Sequence, residues 1–426
     1  MFDYKLIQVE KKLNRLFRRG ALRNKRIYLF GVSENTRQII QILRSYRLEP
    51  VGVLDNDKMK QGAYCKSIQV IPVEDVKNIR DVQNLYIVYS AYWQEMVAQL
   101  KSRGVKKENI RMLYREESLI EHLEYAYLGK RIYEKLVEKY GKVLVFICPY
   151  TGTGDIYLIG TFWKRYIEKN HIENYVFLVL NKACEKVAML FEIKNVEVFK
   201  KKLESTYLIQ YYMLCPDKVN VKILNDSWAQ IHTNPLEWLR GCKGLEFTGL
   251  FRKFVFDLPD NEQPEHPVFK DVSQELDVLF REHHLETGNT VVLSPYSNTL
   301  EDLPREFWVD LVKKLKQMGF KVCTNSSGDT EPAVEGTVPV FFPLNIAPQW
   351  IEKAGYFVGV RSGFCDIVSG TKAKKIILYG AQDRFFYGSA FEYFSLKGMG
   401  LCEDVVEIQF ERGDRNLSEE VVSYLR

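Results

Sequence analysis

Apolar and polar positions along the chain follow two rhythms that trade places every ten to fifteen residues. Short apolar runs, RIYLF (26–30), VGVL (51–54) and NLYIVYS (84–90), read as buried strands. Between them, Asn35 to Tyr46 and a stretch near 91–103 hold apolar residues at helical spacing. Strands that alternate with helices predict a parallel sheet, so residues 26–112 form a small α/β unit. A second series starts at KVLVFICPY (142–150), with a Gly-rich turn, a helix near 156–168 and the strand YVFLVL (175–180), and runs to about 225. The stretch 226–287 is less regular, and its LPDNEQPEHP (258–267) predicts a crossing between domains. A third series opens at TVVLSPYSNT (290–299). Helix 304–318, strand FKVCTN (320–325), helix 346–354, strand 356–360, a helix after Gly363 and strand KKIILYG (374–380) follow. Residues 114–141 are charged with periodic Leu, Tyr and Ile, which predicts a helical linker along a domain surface. The expected division is 1–113, a linker 114–141, then 142–287 and 288–426.

Length supports that division, because 426 residues are more than one core organises well. Charged residues at 27% and apolar ones at 46% fit a soluble globular protein, and no apolar run is long enough for a bilayer. The start, MFDYKLIQVEKKL, lacks the apolar core of a signal peptide. Eight cysteines without CxxC pairing, several in apolar runs, predict reduced thiols in a cytoplasmic protein. Six histidines offer no metal-ligand spacing, and a net charge of +5 is too mild to point to nucleic acid. One segment is more strongly charged. Residues 1–26 carry nine Lys or Arg against two acids, with Leu6, Val9, Leu13, Leu16 and Phe17 near helical spacing. A basic amphipathic helix over 1–19 suits anionic lipid at the inner membrane face, its own domain, or the second subunit of a homodimer.

The unusual turns all fall at the carboxyl ends of predicted strands: TGTGD (151–155), SPYSNT (294–299), TNSSGD (324–329) and RSGFCD (361–366). Open parallel sheets bind ligands on that side, so the turns predict a cleft between two α/β units. At Arg361-Ser362-Gly363 a strand ends where a helix begins. Converging N–H groups and a helix dipole suit an anion there, Gly363 permits close approach, and Arg361 supplies a forked donor for phosphate. The competing reading is a plain strand–loop–helix with a solvated arginine. In the first unit the turn Gly31-Val32-Ser33-Glu34-Asn35 does not complete GxGxxG, while Asp55 falls where an acid reaches a ribose hydroxyl. Asp55-Asn56-Asp57 spells DxD, which is read as a strand-end turn rather than a metal site.

The stretches YLFGVSENTRQII, EPVGVLDNDKMKQG and Ile71-Pro72-Val73 resemble the small Rossmann-like domain of bacterial sugar acyltransferases. That resemblance implies a nucleotide-sugar held near Gly31, Ser33 and Asp55. Residues 142–400 resemble a GT-B glycosyltransferase of the heptosyltransferase-like family. The likeness rests on Gly154-Asp155 after the first strand, on Leu293-Ser294-Pro295-Tyr296-Ser297-Asn298, and on Phe307-Trp308 leading to Gly319-Phe320-Lys321-Val322. The strand, Ser-Gly, helix and strand of 356–380 complete the ordered set. The implied fold is α/β throughout: a small Rossmann-like domain, then two Rossmann-like domains in a GT-B arrangement.

The resemblance implies transfer of a sugar from a nucleotide-sugar to a saccharide or lipid-linked saccharide in bacterial surface polysaccharide synthesis, with no cofactor and no metal. Asp155 would be the base, or a cap of helix 156–168. Arg361 would stabilise the leaving diphosphate, with Ser362 and Gly363 donating at the helix start. Gly152, Thr153 and Gly154 form the acceptor-side turn. Ser294 and Tyr296 line the donor side; Asn298 and Thr299 meet phosphate or sugar, or simply form the turn; Asn325 and Ser326 meet base or ribose. Asp366 orients Arg361, binds a sugar hydroxyl, or serves as a first-turn acid. Where the family has Asp before Ser-Gly and His three residues after the Gly, this chain has Arg361 and Asp366, and SPYSNT lacks the usual basic residue. These departures argue against ADP-heptose and lipopolysaccharide. Two other classes fit less of the chain: a nucleotide-sugar-binding protein without transferase activity, and an NAD-linked sugar oxidoreductase, which the broken GxGxxG disfavours.

Overall fold

The computed structural model describes residues 4–32, 34–58, 60–90, 92–113, 119–225, 247–269, 271–297, 300, 303–328, 331–381, 384–385, 388–411 and 413–425. The chain divides into two compact units, Asp3–His122 and a second comprising Leu123–Arg426.

The first unit is built on β1 (Arg26–Phe30), β2 (Gly52–Leu54), β3 (Tyr64–Cys65), β4 (Ile68–Ile71), β5 (Asn84–Val88) and β6 (Ile110–Met112). Their order is β3-β4-β2-β1-β5-β6, parallel except for the β3–β4 hairpin. Side chains of β1 alternate between two buried clusters. Ile27 and Leu29 meet α1 (Tyr4–Arg18) and α2 (Glu34–Ser45) through Val9, Leu13, Ile39, Ile40 and Leu43. Tyr28 and Phe30 meet α3 (Trp93–Ser102) through Met96 and Leu100. Helices therefore cover both faces. The apolar stripe of α1 is consumed inside its own unit, since Val9 and Leu13 are buried. Phe17 is partly exposed and stacks on Tyr46, with ring centroids 4.5 Å apart.

The second unit begins within α4 (Leu119–Tyr140) and contains two sheets. The first has β7 (Leu144–Ile147), β8 (Tyr175–Val179), β9 (Val196–Val198) and β10 (Val221–Ile223), all parallel in the order β10-β7-β8-β9. Its helices are α5 (Thr153–Lys169), α6 (Lys182–Leu190) and α7 (Leu203–Leu214). The second has β11 (Thr290–Ser294), β12 (Lys321–Asn325), β13 (Val338–Val340), β14 (Gly355–Val360) and β15 (Lys374–Gly380). A small ribbon, β16 (Arg384–Phe385) and β17 (Gly388–Ser389), precedes the last strand, β18 (Val405–Phe410). This sheet is wholly parallel, β13-β12-β11-β14-β15-β18. Its helices include α8 (Ser273–Glu282), α9 (Arg305–Gln317), α10 (Ala347–Ala354) and α11 (Gly363–Val368).

Near-continuous apolar strands make both sheets buried on two faces. On the second sheet Val291, Leu293, Val358 and Val360 face α9, whereas Val292, Phe357, Ile377 and Tyr379 join one cluster with Phe146, Ile159 and Phe177 of the first. A shared core thus ties the two sheets together. The crossing segment supports it: Glu265 N donates to Thr161 O at 2.9 Å, and the Tyr157 hydroxyl meets His266 Nδ1 at 2.9 Å. The architecture is α/β, two Rossmann-like sheets following a smaller Rossmann-like unit.

Candidate functional site

In each sheet the strand order reverses beside the first strand. β7 has β8 on one side and β10 on the other; β11 lies between β12 and β14. A parallel sheet opens a crevice at that point, outside the carboxyl ends of the strands. The turns singled out from the sequence follow β7, β11, β12 and β14, so TGTGD, SPYSNT and RSGFCD adjoin the two reversals.

After β7 the chain runs through Tyr150 to Gly152, the N-cap of α5. Asp155 lies inside the first turn of α5 rather than at its cap, because the helix starts at Thr153, earlier than the pattern predicts. The turn is braced from α6. Asn181 caps that helix by accepting from Cys184 N at 2.8 Å and donates its amide to Thr151 O at 3.1 Å. Buried Asn225, after β10, reaches the Tyr150 hydroxyl at 3.4 Å across the reversal.

After β14, Ser362 is the N-cap of α11 and Gly363 its first residue. Here the two sheets meet. A Cβ placed on Gly363 would lie 2.6 Å from Gly154 N, and one on Gly154 would lie 2.6 Å from Asp366 Oδ2 and 3.0 Å from Gly363 Cα. Only glycine permits two helix starts to approach so closely. Asp155 and Asp366 are near enough for the Asp155 carboxylate to act on Asp366 electrostatically.

The expected phosphate fork at Arg361 is corrected. The guanidinium turns into the protein, with its side chain only 6% exposed. Nε donates to Phe394 O at 2.7 Å; Nη1 donates to Ser362 O and to Asp366 Oδ2 (3.1 Å); Nη2 donates to Asp366 Oδ1 at 2.6 Å. Four of its five N–H groups are occupied, and a carboxylate cancels its charge. Of the roles weighed for Asp366, the structure shows it bonded to Arg361 and also placed as an acid in the first turn of α11. Burial pushes the Asp366 carboxyl up, to about 6, against the pull of Arg361, and the Asp155 carboxylate adds to the push. The Tyr379 hydroxyl donates to Glu407 Oε1 at 2.5 Å and lies 3.1 Å from Phe394 O. The strand-end arginine therefore pins the turn to the chain that follows β15.

Two of the other expected ligands are engaged by the protein itself, Ser326 within its own loop and Tyr296 with a distant one. Ser326 is buried, donates to Glu331 O at 2.6 Å and accepts from Gly328 N at 3.3 Å. Asn325 ends β12 half-buried. The Tyr296 hydroxyl donates to Pro332 O at 2.6 Å, and buried Ser294 closes β11 opposite Gly359. In the first unit Asp55 is not open to a ribose. It is buried, accepting from Val32 N at 2.7 Å and Asp57 N at 2.9 Å, which makes DND a turn. Gly31, at φ +102°, brings the turn after β1 against Tyr89 O. Ser33, Asn298 and Thr299 lie outside the described residues, as does Cys242. Among the described residues no His, Cys, Asp and Glu gather as metal ligands, and no helix is long and apolar enough to cross a membrane.

Sequence reasoning missed Asn181, Asn225, Tyr379 and Glu407. Only the lone asparagines at strand ends, in VLNK and ILND, signal a bracing role; the Tyr379–Glu407 link carries no local sign.

No family model and no curated protein matches the chain. Solved structures similar to it are GT-B glycosyltransferases. The ADP-heptose lipopolysaccharide heptosyltransferase II of E. coli is 12% identical, with 66% of this chain and 98% of that one covered at a TM-score of 0.46. A family 9 glycosyltransferase from Veillonella parvula is 14% identical over 66% and 90% at 0.43. E. coli heptosyltransferase WaaC with ADP is 12% identical over 66% and 99% at 0.42. The site stands on the strand reversals and the Gly154–Gly363 contact.

Proposed function

We propose that the chain is a glycosyltransferase that moves a sugar from a nucleotide-sugar to a saccharide or lipid-linked saccharide acceptor of bacterial surface polysaccharide, without a metal. One observation carries the reading: the turns at two sheet reversals converge, Gly154 against Gly363, beside Asp155. Transfer needs a base for the acceptor hydroxyl, and Asp155 is the carboxylate at that meeting point that Arg361 does not neutralise. The Arg361–Asp366 pair acts here as a positioning element, holding Ser362 and Gly363 at the donor edge. Because that pair is neutral, the diphosphate belongs nearer the SPYSNT turn after β11, with Ser294 and Tyr296 at its base. The resemblances to heptosyltransferases support the choice of donor class but not of ADP-heptose itself.

Nucleotide release from UDP-, GDP-, ADP- and CMP-sugars, with and without oligosaccharide acceptors, tests the proposal. With the matching donor, Asp155→Asn is expected to keep donor affinity while turnover falls ~10²-fold or more. A folded Asp155→Asn variant with near-wild-type turnover would remove Asp155 from the chemistry. A second reading, binding without transfer, is favoured by the neutralised Arg361, which leaves the departing diphosphate without that cation. Saturable donor binding with no nucleotide released under any acceptor would select it.

A further inference from the structure

Helical geometry sorts the side chains of α1 into opposed stripes. Val9, Leu13 and Leu16 recur at four and three residues and point into the first unit, Val9 and Leu13 fully buried. Lys11, Arg15 and Arg18 recur with the same spacing on the opposite side, and Arg19 extends that stripe by one residue. All four are exposed, as is Arg23 in the following turn. None of the five makes a side-chain hydrogen bond or ion pair among the described residues. Neighbouring cations are engaged instead: Lys12 donates to Leu113 O, Lys25 to Val82 O, and Arg26 pairs with Asp81.

Like charges crowded on one helix face repel one another, so an unpaired row of this kind calls for an anionic counterpart. We propose that the Lys11–Arg15–Arg18 face of α1, with Arg19 and Arg23 in the turn that follows, docks the N-terminal unit on an anionic lipid surface by charge alone. Insertion is ruled out for this helix, since the apolar stripe that would enter the bilayer is already the unit's core. What remains is a row of cations from Lys11 to Arg19 on the outer side of the last turns of α1, roughly 12 Å long at about 1.5 Å per residue, which a flat charged plane can meet. Single-stranded nucleic acid fits less well. It needs open aromatic platforms, and at the edge of this face Phe17 and Tyr46 are stacked on each other. The inference is independent of sugar transfer and goes beyond it.

Co-sedimentation of the full chain with phosphatidylcholine vesicles, with and without phosphatidylglycerol, tests it. Binding is expected only to the anionic vesicles and is expected to disappear at high salt, where screening shortens to a few ångströms. Replacing Arg15, Arg18 and Arg19 together by Ala should weaken binding on the order of a hundredfold, about fivefold for each cation. Replacing exposed Lys77, Lys106 and Lys107 of the same unit should change it little. Equal loss in both triple variants would reduce the effect to bulk charge and overturn the assignment. So would binding that survives high salt, or the absence of binding to anionic vesicles. Displacement from vesicles by single-stranded RNA that binds the α1 face more tightly would replace the lipid with nucleic acid.

Discussion

Arg361 and Asp366 depend on each other because both are buried, 6% and 3% exposed at their side chains. Removing either leaves the other as an uncompensated charge in the core. Arg361→Ala is therefore expected to destabilise the fold by about 3–5 kcal/mol, whereas Arg361→Met combined with Asp366→Leu should cost much less. Urea denaturation of the three proteins checks this, and equal stability of wild type and Arg361→Ala would contradict the buried geometry. The case also marks what a sequence can say about single residues. That a strand ends and a helix starts at Arg361-Ser362-Gly363 is legible from an apolar run meeting Ser-Gly. Which way the guanidinium turns is only half legible: Asp366, five residues on, is weighed as its partner, but the acceptor for Nε, Phe394 O, lies thirty-three residues on. Asp55 illustrates the same limit, its direction set by the Val32 N–H from another strand's turn.

Elements were more readable than side chains, because strands buried on both faces announce themselves as apolar runs. β1, β7, β11 and β15 fall within the runs that predict them, and β14 starts one residue early, at Gly355. Their lateral order does not follow from pattern, and that order brings the starts of α5 and α11 together. The contact is tight from both sides. A methyl group on Gly363 would press on backbone, Gly154 N, at 2.6 Å, and one on Gly154 would press on Gly363 Cα and on Asp366 Oδ2, which Arg361 holds in place. Gly363→Ala and Gly154→Ala should thus each cost about 1–3 kcal/mol and reduce turnover. Chemical denaturation beside initial rates would decide it. A Gly363→Ala protein as stable and active as wild type would mean that the helices separate without penalty.

At the scale of the whole molecule the informative question is where the second unit starts. Charge and spacing over 114–141 suggest a helical linker along a domain surface, with the next domain opening at 142. The structure makes α4 part of that domain's packing. Tyr125, Ala126 and Leu136 are buried, and the Tyr125 ring lies 5.0 Å from that of Tyr207 on α7. Gly129 sits so tightly on α7 that a Cβ there would fall 1.9 Å from Tyr207 O. The Tyr133 hydroxyl accepts from Asn220 N at 3.0 Å, next to β10, and Lys139 and Tyr140 both bond Glu197 of β9. A helix joined this way to a sheet and its neighbour is core, whatever its polar surface suggests. Residues 119–426 produced alone should therefore fold and unfold in one cooperative transition. Residues 142–426 should lose roughly 3–6 kcal/mol, at ~1.5–3 kcal/mol for each of Tyr125 and Leu136, and expose the Tyr207 and Tyr211 face to aggregation. Urea titrations of the two fragments measure the difference. Matching midpoints would return α4 to the role of a linker and place the unit's true start at β7.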